Sequence, residues 1–328
     1  GALQFDAIIE RALGRSVPWS ELVSSGFTYV VHPDSLASPA ELATHYSSVH
    51  ESIAARADGL TYLGVPADQL RLPREVRVGN RGMTAFATDE RSVDVVRLFA
   101  LMDKALSASA VTPRMGHTVT DAHQWGETWR LDAHTPGGAV ALGPYDVVVN
   151  AAWDQQDRLD RCAFPELVAP VSNYRLRAFA GGRSRSVMPV ITVVQGPFGD
   201  LVGFAGGRFY ASWYPDGLLG FSTGHHPPED WARLAEEASR DGSLARRMLA
   251  GLADVVPMDV VVDEWHVQAR VVVAHGDTDI DHRDSRLHHR LGPTVSERDR
   301  WVTPRSPKLT NAPQVAQWTC DVIKGLFT

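Results

Sequence analysis

Tyr145-Asp146-Val147-Val148-Val149-Asn150-Ala151-Ala152 is the stretch that decides the fold. A Gly143-Pro144 turn signal precedes it. A β-branched apolar run follows, closed by an asparagine and two small residues ahead of Trp153. A continuous apolar run bounded by turn residues reads as a strand buried on both faces, the mark of a central strand in a parallel sheet. Ligands of open α/β sheets lie beyond the carboxyl ends of such strands, and small residues there let a backbone or a ligand come close. Without its neighbours the stretch also reads as a plain core strand with a tightly packed tip.

Upstream, residues 3–13 set Leu3, Phe5, Ile8, Ile9 and Leu13 on one helical face. Phe27 to Val31 reads as a short strand. Ser38-Pro39-Ala40-Glu41 is a capping box with proline at the first helical position. Residues 59–91 read as irregular. Ser92 is expected to cap a helix that turns Val96, Phe99 and Leu106 inward, and short strands are expected near Thr118–Thr120, Thr128–Asp132 and Val140. From about Asn173 the texture changes. Tyr174 to Phe179 and Arg208 to Trp213 alternate with period two, and Gly196-Pro197-Phe198-Gly199-Asp200 and Pro215-Asp216-Gly217 read as turns. Regular strands between Gly/Pro turns indicate an antiparallel sheet. Two helices, near 228–239 and 243–253, a strand through Val271–Ala274 and a helix through Val315, Trp318, Val322 and Leu326 complete the chain.

The totals set bounds. At 328 residues the chain has room for roughly two domains of about 150 residues. Hydrophobic residues make up 44% and charged residues 22%, ordinary for a globular protein with a sizeable core. A net charge of −7 argues against a general nucleic-acid binder, which needs a basic face. Cys162 and Cys320 are far apart and form no C-x-x-C pair, so a reducing, cytoplasmic setting is expected. No run reaches the length of a membrane span. The sequence opens at Gly1 within an amphipathic helical pattern, which leads us to expect a longer natural polypeptide.

Three places resemble the D-amino-acid-oxidase-like family of FAD-dependent oxidoreductases. Ala85-Phe-Ala-Thr-Asp-Glu-Arg-Ser-Val-Asp94, with its helix, is similar to the family segment before the second half of its FAD domain. Tyr145–Ala152 is similar to the family strand that ends Asn-Ala-Ala-Gly beside the cofactor. Ser306-Pro-Lys-Leu-Thr-Asn-Ala-Pro313 is similar to the C-terminal turn whose helix start faces the flavin and the pyrophosphate. The resemblance implies an α/β (α+β) chain: a partial FAD-binding Rossmann-like domain from 1–172 and 255–328, and an antiparallel-sheet substrate domain at 173–254. It implies FAD as cofactor, and oxidation of a C–N bond of a small amine or amino acid by hydride transfer to the flavin. Two departures stand out. Trp153 occupies the place of the family glycine, and no G-x-G-x-x-G occurs anywhere. That fingerprint cradles the pyrophosphate on a helix N-terminus. A preceding segment or a partner chain is expected to supply it, unless FAD has been lost. A catalytically inactive relative, or a subunit acting as a binding module, is the alternative from another class.

Period two places Arg208, Tyr210, Ser212 and Tyr214 on one face, and the resemblance sets that sheet over the flavin. An arginine can grip a carboxylate with two parallel hydrogen bonds, and a tyrosine can close over a small substrate. The catalytic candidates are therefore Arg208, Tyr210 and Ser212, although the same face also fits the wet side of a half-exposed strand. Arg175 and Arg177 are expected to face solvent. For the cofactor, the resemblance marks Asn150, Ala151 and Ala152, Val119 near the adenine, and Lys308, Thr310 and Asn311 before a helix whose N–H groups suit phosphate or a flavin oxygen. Asn311 also fits a simple N-cap. Gly220-Phe-Ser-Thr-Gly224 matches the nucleophile elbow of a serine hydrolase, with Asp263 and His275 following in order. His225-His226-Pro227-Pro228 intervenes where the elbow needs a helix, so Ser222 is a weaker reading. His275-Gly-Asp-Thr-Asp-Ile-Asp-His282, with His288 and His289, offers metal-type side chains but departs from the EF-hand pattern, and a polar loop is the simpler reading.

Overall fold

The strand Ser172–Ser184 is the axis of the computed structural model, which describes residues 2–79, 82–168, 171–288, 292–306 and 308–328. It pairs antiparallel along its whole length with Val262–His275, from Ser172↔His275 to Ser184↔Val262. Its other edge carries Leu218–Gly224 near the start and Arg208–Trp213 near the end. The sheet then runs outward through Gly199–Gly203 and Ile191–Val194. It crosses in parallel to Thr28–Val31 and ends on Met83–Ala87 and Arg74–Val78.

This pairing corrects two expectations. Residues 59–91 hold the hairpin Arg74–Val78/Met83–Ala87, not an irregular stretch. The sheet also takes strands from both sides of 173–254, so that boundary cuts through one hydrogen-bonded unit. Composition marks where strand texture begins, but only pairing shows which distant strands join it.

Alternation gives the sheet two unlike faces. Tyr174, Leu176, Ala178 and Ala180 join Phe209 and Ala211 in a core covered by the helices Trp231–Arg240 and Gly242–Val255, through Trp231, Leu244, Met248 and Leu252. The opposite face carries Arg175, Arg177, Phe179, Tyr210 and Ser212.

The decisive stretch folds differently from its first reading. Only Val148–Val149 is strand. It pairs in parallel with Trp301–Val302 and has no second partner among the described residues. Val149 is 40% exposed, so this is an edge strand and not a central one. The strand Trp301–Arg305 also forms a hairpin with Thr294–Arg298. A three-stranded meander, Thr118–Trp125, Thr128–Thr135 and Gly138–Tyr145, packs beside it. Trp129 is its anchor: the ring meets Trp301 at 5.0 Å and Nε1 donates to the Asp299 carbonyl at 2.8 Å.

The helix Gln156–Ala163 ties these pieces together. Asp160 accepts from Asn150 Nδ2 (2.7 Å), Trp301 Nε1 (2.8 Å) and Thr303 Oγ1 (2.7 Å), while Arg305 grips its second oxygen at 2.9 Å. Asp157, one turn earlier on the same helix face, holds Arg305 at 2.7 Å.

At the N-terminal side the Ser38 capping box forms as read. The helix Val95–Ser107 is capped by Asp94, which accepts from the Arg97 N–H, and not by Ser92. Its Val96 and Phe99, expected inward, are 62% and 47% exposed. Removing a buried charge partner that satisfies four donors strands them, so Asp160→Ala should cost about 3–5 kcal/mol. A urea midpoint that falls accordingly, with an unchanged slope, is the expected measurement.

Candidate functional site

The two halves of the chain meet around a cavity of about 1120 Å³. One wall is the turn after the edge strand (Val149, Ala151, Trp153) with the C-terminal segment (Arg305, Lys308, Leu309, Ala312). The other wall is the end of the large sheet (Ser172, Tyr174, Arg175, Val273, His275). The greater part of the lining is apolar, with few but convergent polar groups, as is usual for small-molecule sites.

Not all of the expected cofactor residues face this cavity. Ala151 and Lys308 do. Asn150 is buried and turned inward: Nδ2 donates to the Gln156 carbonyl (2.9 Å) and to Asp160, and Oδ1 accepts from the Ala152 N–H (3.3 Å). Its role in this structure is to fix the turn. Ala152 and Val119 pack on the Trp129 core, and the Val119 carbonyl accepts from Arg158 at 2.9 Å. Thr310 and Asn311 lie in the short 3-10 turn Leu309–Asn311, whose neighbours Leu309 and Ala312 line the wall. Asn311 makes no side-chain cap on the helix Ala312–Gly325, so the simple N-cap reading is set aside and the helix start faces the cavity without one. Trp153 takes a left-handed backbone, φ 51°, where glycine is the favoured residue. Its indole N–H reaches the Val271 carbonyl at 3.0 Å and so bridges to the large sheet.

The substrate-face candidates are redistributed. Arg208, Tyr210 and Ser212 do share a face, as period two requires. Arg208, however, pairs with the buried Asp94 at 3.0 Å, and it stands opposite Arg183. Eight residues separate Arg183 from Arg175, about 26 Å along the strand. Arg208 therefore pins the helix cap and lies far from the cavity. Tyr210 stacks on Phe179 at 5.8 Å, and Ser212 donates to the half-buried Asp200. Burial pushes the Asp200 carboxyl above its usual range and the Tyr210 phenol likewise.

Arg175 and Arg177 were expected in solvent; Arg175 is buried and Arg177 half-buried. The Arg175 side chain is 7% exposed and reaches the cavity. Arg177 lies 4.1 Å over the Tyr214 ring, and burial draws its guanidinium pKa below the usual value. The Nε atoms of both lack a hydrogen-bond partner among the described residues. Tyr214, in the short helix Tyr214–Gly217 where a turn was expected, donates to Asp279 at 2.6 Å. Asp279 stands 3.9 Å from Arg175. The register that turns Arg175 inward is set by strands distant in sequence, so alternation alone did not reveal it.

A second polar group was not singled out from the sequence. Ser172 donates to Asp157 at 2.9 Å and lies 3.5 Å from His275 Nδ1. The cross-strand pair Ser172↔His275 creates it, and no local spacing signals such a pair. The elbow reading fails here. Ser222 sits within the strand Leu218–Gly224 opposite Tyr174, and Asp263 pairs with Arg185 at the far end of the strand that carries His275. No group of three or more metal-type side chains converges among the described residues, and His289 lies outside them. No helix of the described residues is long and apolar enough to cross a membrane.

No family model matches the sequence, and no curated protein does. Solved structures do match. L-proline dehydrogenase from P. horikoshii aligns at TM-score 0.56 and 12% identity, covering 99% of this chain and 77% of that one. Glycine oxidase from Geobacillus kaustophilus aligns at 0.59 and 13%, covering 97% and 75%. L-amino acid deaminase from Proteus vulgaris aligns at 0.57 and 12%, covering 97% and 78%. The chain has the D-amino-acid-oxidase-like fold that its motifs resemble.

Burial, followed by Arg305, depresses the His275 pKa below its ordinary 6.5. The unfolded chain therefore takes up a proton where the folded one resists it. This contribution to stability is complete above about pH 6.5 and is lost as pH falls toward the depressed value. His275→Gln should flatten the acid side of the stability curve, read as thermal midpoints from pH 7.5 to 5.

Proposed function

We propose that this chain forms the main body of an FAD-dependent oxidoreductase that oxidises a C–N bond of a small amine or amino acid. The observation that carries the reading is the cavity whose walls are the turn bearing Ala151 and Trp153, the Lys308–Ala312 helix start and the buried Arg175. The residues present fit a flavin dinucleotide in part. Ala151 leaves room for close approach. Lys308 and the uncapped start of the helix Ala312–Gly325 suit anionic or electron-rich oxygens. The pyrophosphate cradle, a strand–glycine turn–helix unit, is not among these residues, and the proposal assigns it to a segment or partner outside them. When bound, FAD supplies the two-electron acceptor for the hydride of the α-carbon.

The chain's own residues bind and orient. Arg175, buried and with its Nε unpartnered, is the carboxylate anchor in place of Arg208. Arg177, stacked on Tyr214, adds positive potential behind it. Asp279, held by the Tyr214 hydroxyl, stands beside Arg175 and keeps its guanidinium in place. Val272 and Val273 with Val149 and Leu309 form the apolar surround that excludes water.

A second reading, a non-catalytic relative that acts as an interaction module, draws on the exposed Val96 and Phe99 and on the missing glycine fingerprint. A flavin absorbance spectrum of the natural full-length protein, and its bleaching by α-amino acids under anaerobic conditions, separates the two.

Arg175→Ala should raise KM for carboxylate-bearing substrates roughly ten- to a hundredfold, the loss of a charge-assisted pair worth about 1.5–3 kcal/mol. Arg208→Ala should lower the thermal midpoint and leave KM in place. The opposite pattern would return the anchor to Arg208.

A further inference from the structure

Arg175 and Arg177 lie two residues apart on the strand Ser172–Ser184, so both point to one face of the sheet, about 6.7 Å apart along the strand. Arg175 is buried and lines the cavity, and Arg177 is the next side chain on that face, half-buried. Tyr214 joins them. Its ring lies 4.1 Å from the Arg177 guanidinium, and its hydroxyl holds Asp279, which stands 3.9 Å from Arg175.

An arginine keeps its charge when water is removed, so it needs acceptors in place of the water. Among the described residues the Nε of each arginine is buried without a hydrogen-bond partner, and Asp279 is the only carboxylate within 4 Å of either guanidinium. Arg270 stands across from Arg177 in the strand Val262–His275 and adds a third cation. Asp200, on the same face, does not offset them. Ser212 already donates to it, and burial favours its neutral form. Like charges this close repel, and one aspartate balances only one of them.

We propose, on the functional reading above, that the substrate is a dicarboxylic amino acid, with its α-carboxylate on Arg175 and its side-chain carboxylate on Arg177. Such a zwitterion carries one net negative charge, the charge that this pair of arginines lacks once Asp279 is counted. A monocarboxylic amino acid is neutral overall and leaves Arg177 unpartnered. The stems of the two arginines are long enough to converge on carboxyls set by a four- or five-carbon skeleton. Tyr214 steadies Arg177 through its ring face and so consumes none of its N–H donors.

Two readouts test this. In calorimetric titrations of the chain, succinate or glutarate should bind about ten- to a hundredfold more tightly than butyrate, the gain from a second charge-assisted pair. Arg177→Gln should remove that difference, Arg177→Lys should recover part of it, and Arg175→Gln should weaken all three ligands. Equal affinities in the wild type, or a preference that survives in Arg177→Gln, overturn the proposal. The thermal midpoint of Arg177→Gln should stay near that of the wild type; a marked fall makes Arg177 a structural group and also overturns it. In the FAD-loaded protein, anaerobic flavin reduction by the D and L forms of aspartate, glutamate and alanine should favour one of the acidic pair, and Arg177→Gln should lower kcat/KM for that substrate far more than for alanine. A wild type that no amino acid reduces overturns the functional reading, and the substrate class with it. A wild type that alanine reduces as well as either acidic amino acid overturns the substrate class alone.

Discussion

Two carboxylates one turn apart on a short helix close on one guanidinium, and the rest of the molecule hangs from that contact. Asp157 and Asp160 both face Arg305 from the helix Gln156–Ala163. Buried ions of this kind cost several kcal/mol each if left unpaired, so the helix has no freedom to shift along the strand that carries Arg305. Asp160 uses its remaining capacity on Asn150, Trp301 and Thr303, which fixes the turn after the edge strand. Asp157 uses its second oxygen on Ser172, at the first residue of the axial strand of the large sheet. One polar chain therefore joins the two walls of the cavity and sets their separation.

The same contact shapes the electrostatics. The chain as a whole carries a net charge of −7, yet the cavity wall presents Arg175, Arg286 and Lys308, while Arg305 is balanced by Asp157 and Asp160. A cleft of one sign with apolar walls focuses potential and raises the local concentration of anions. Phosphates and carboxylates are the ligands such a cleft collects, and the dinucleotide and amino acid proposed above carry these groups. Trp153 belongs to this arrangement. Its left-handed backbone carries a steric cost of about 1–2 kcal/mol that glycine would avoid. What accompanies that cost is an indole that lines the cavity and bridges to Val271.

The arginines show how far local pattern reaches. Period two correctly placed Arg208, Tyr210 and Ser212 on one face, and equally placed Arg175 and Arg177 together. Which face is buried, and how far along the strand the cavity lies, depends on pairing with strands at 199–203, 208–213 and 262–275. Alternation carries no information about either. Arg208 met Asp94, and the buried cavity-facing position fell to Arg175.

By itself the sequence determined many of the elements and the family of folds. The Ser38 capping box, the period-two strands from residue 173 and the motifs at 85–94, 145–152 and 306–313 were legible because each is set by neighbours within a few residues. Tertiary structure alone decided the rest. Val148–Val149 became an edge because no second strand meets it among the described residues. Asn150 turned inward because Asp160 waited there, ten residues on. Ser172 and His275 came together across 103 residues, because antiparallel register is set by long-range hydrogen bonding and packing, which local periodicity does not encode.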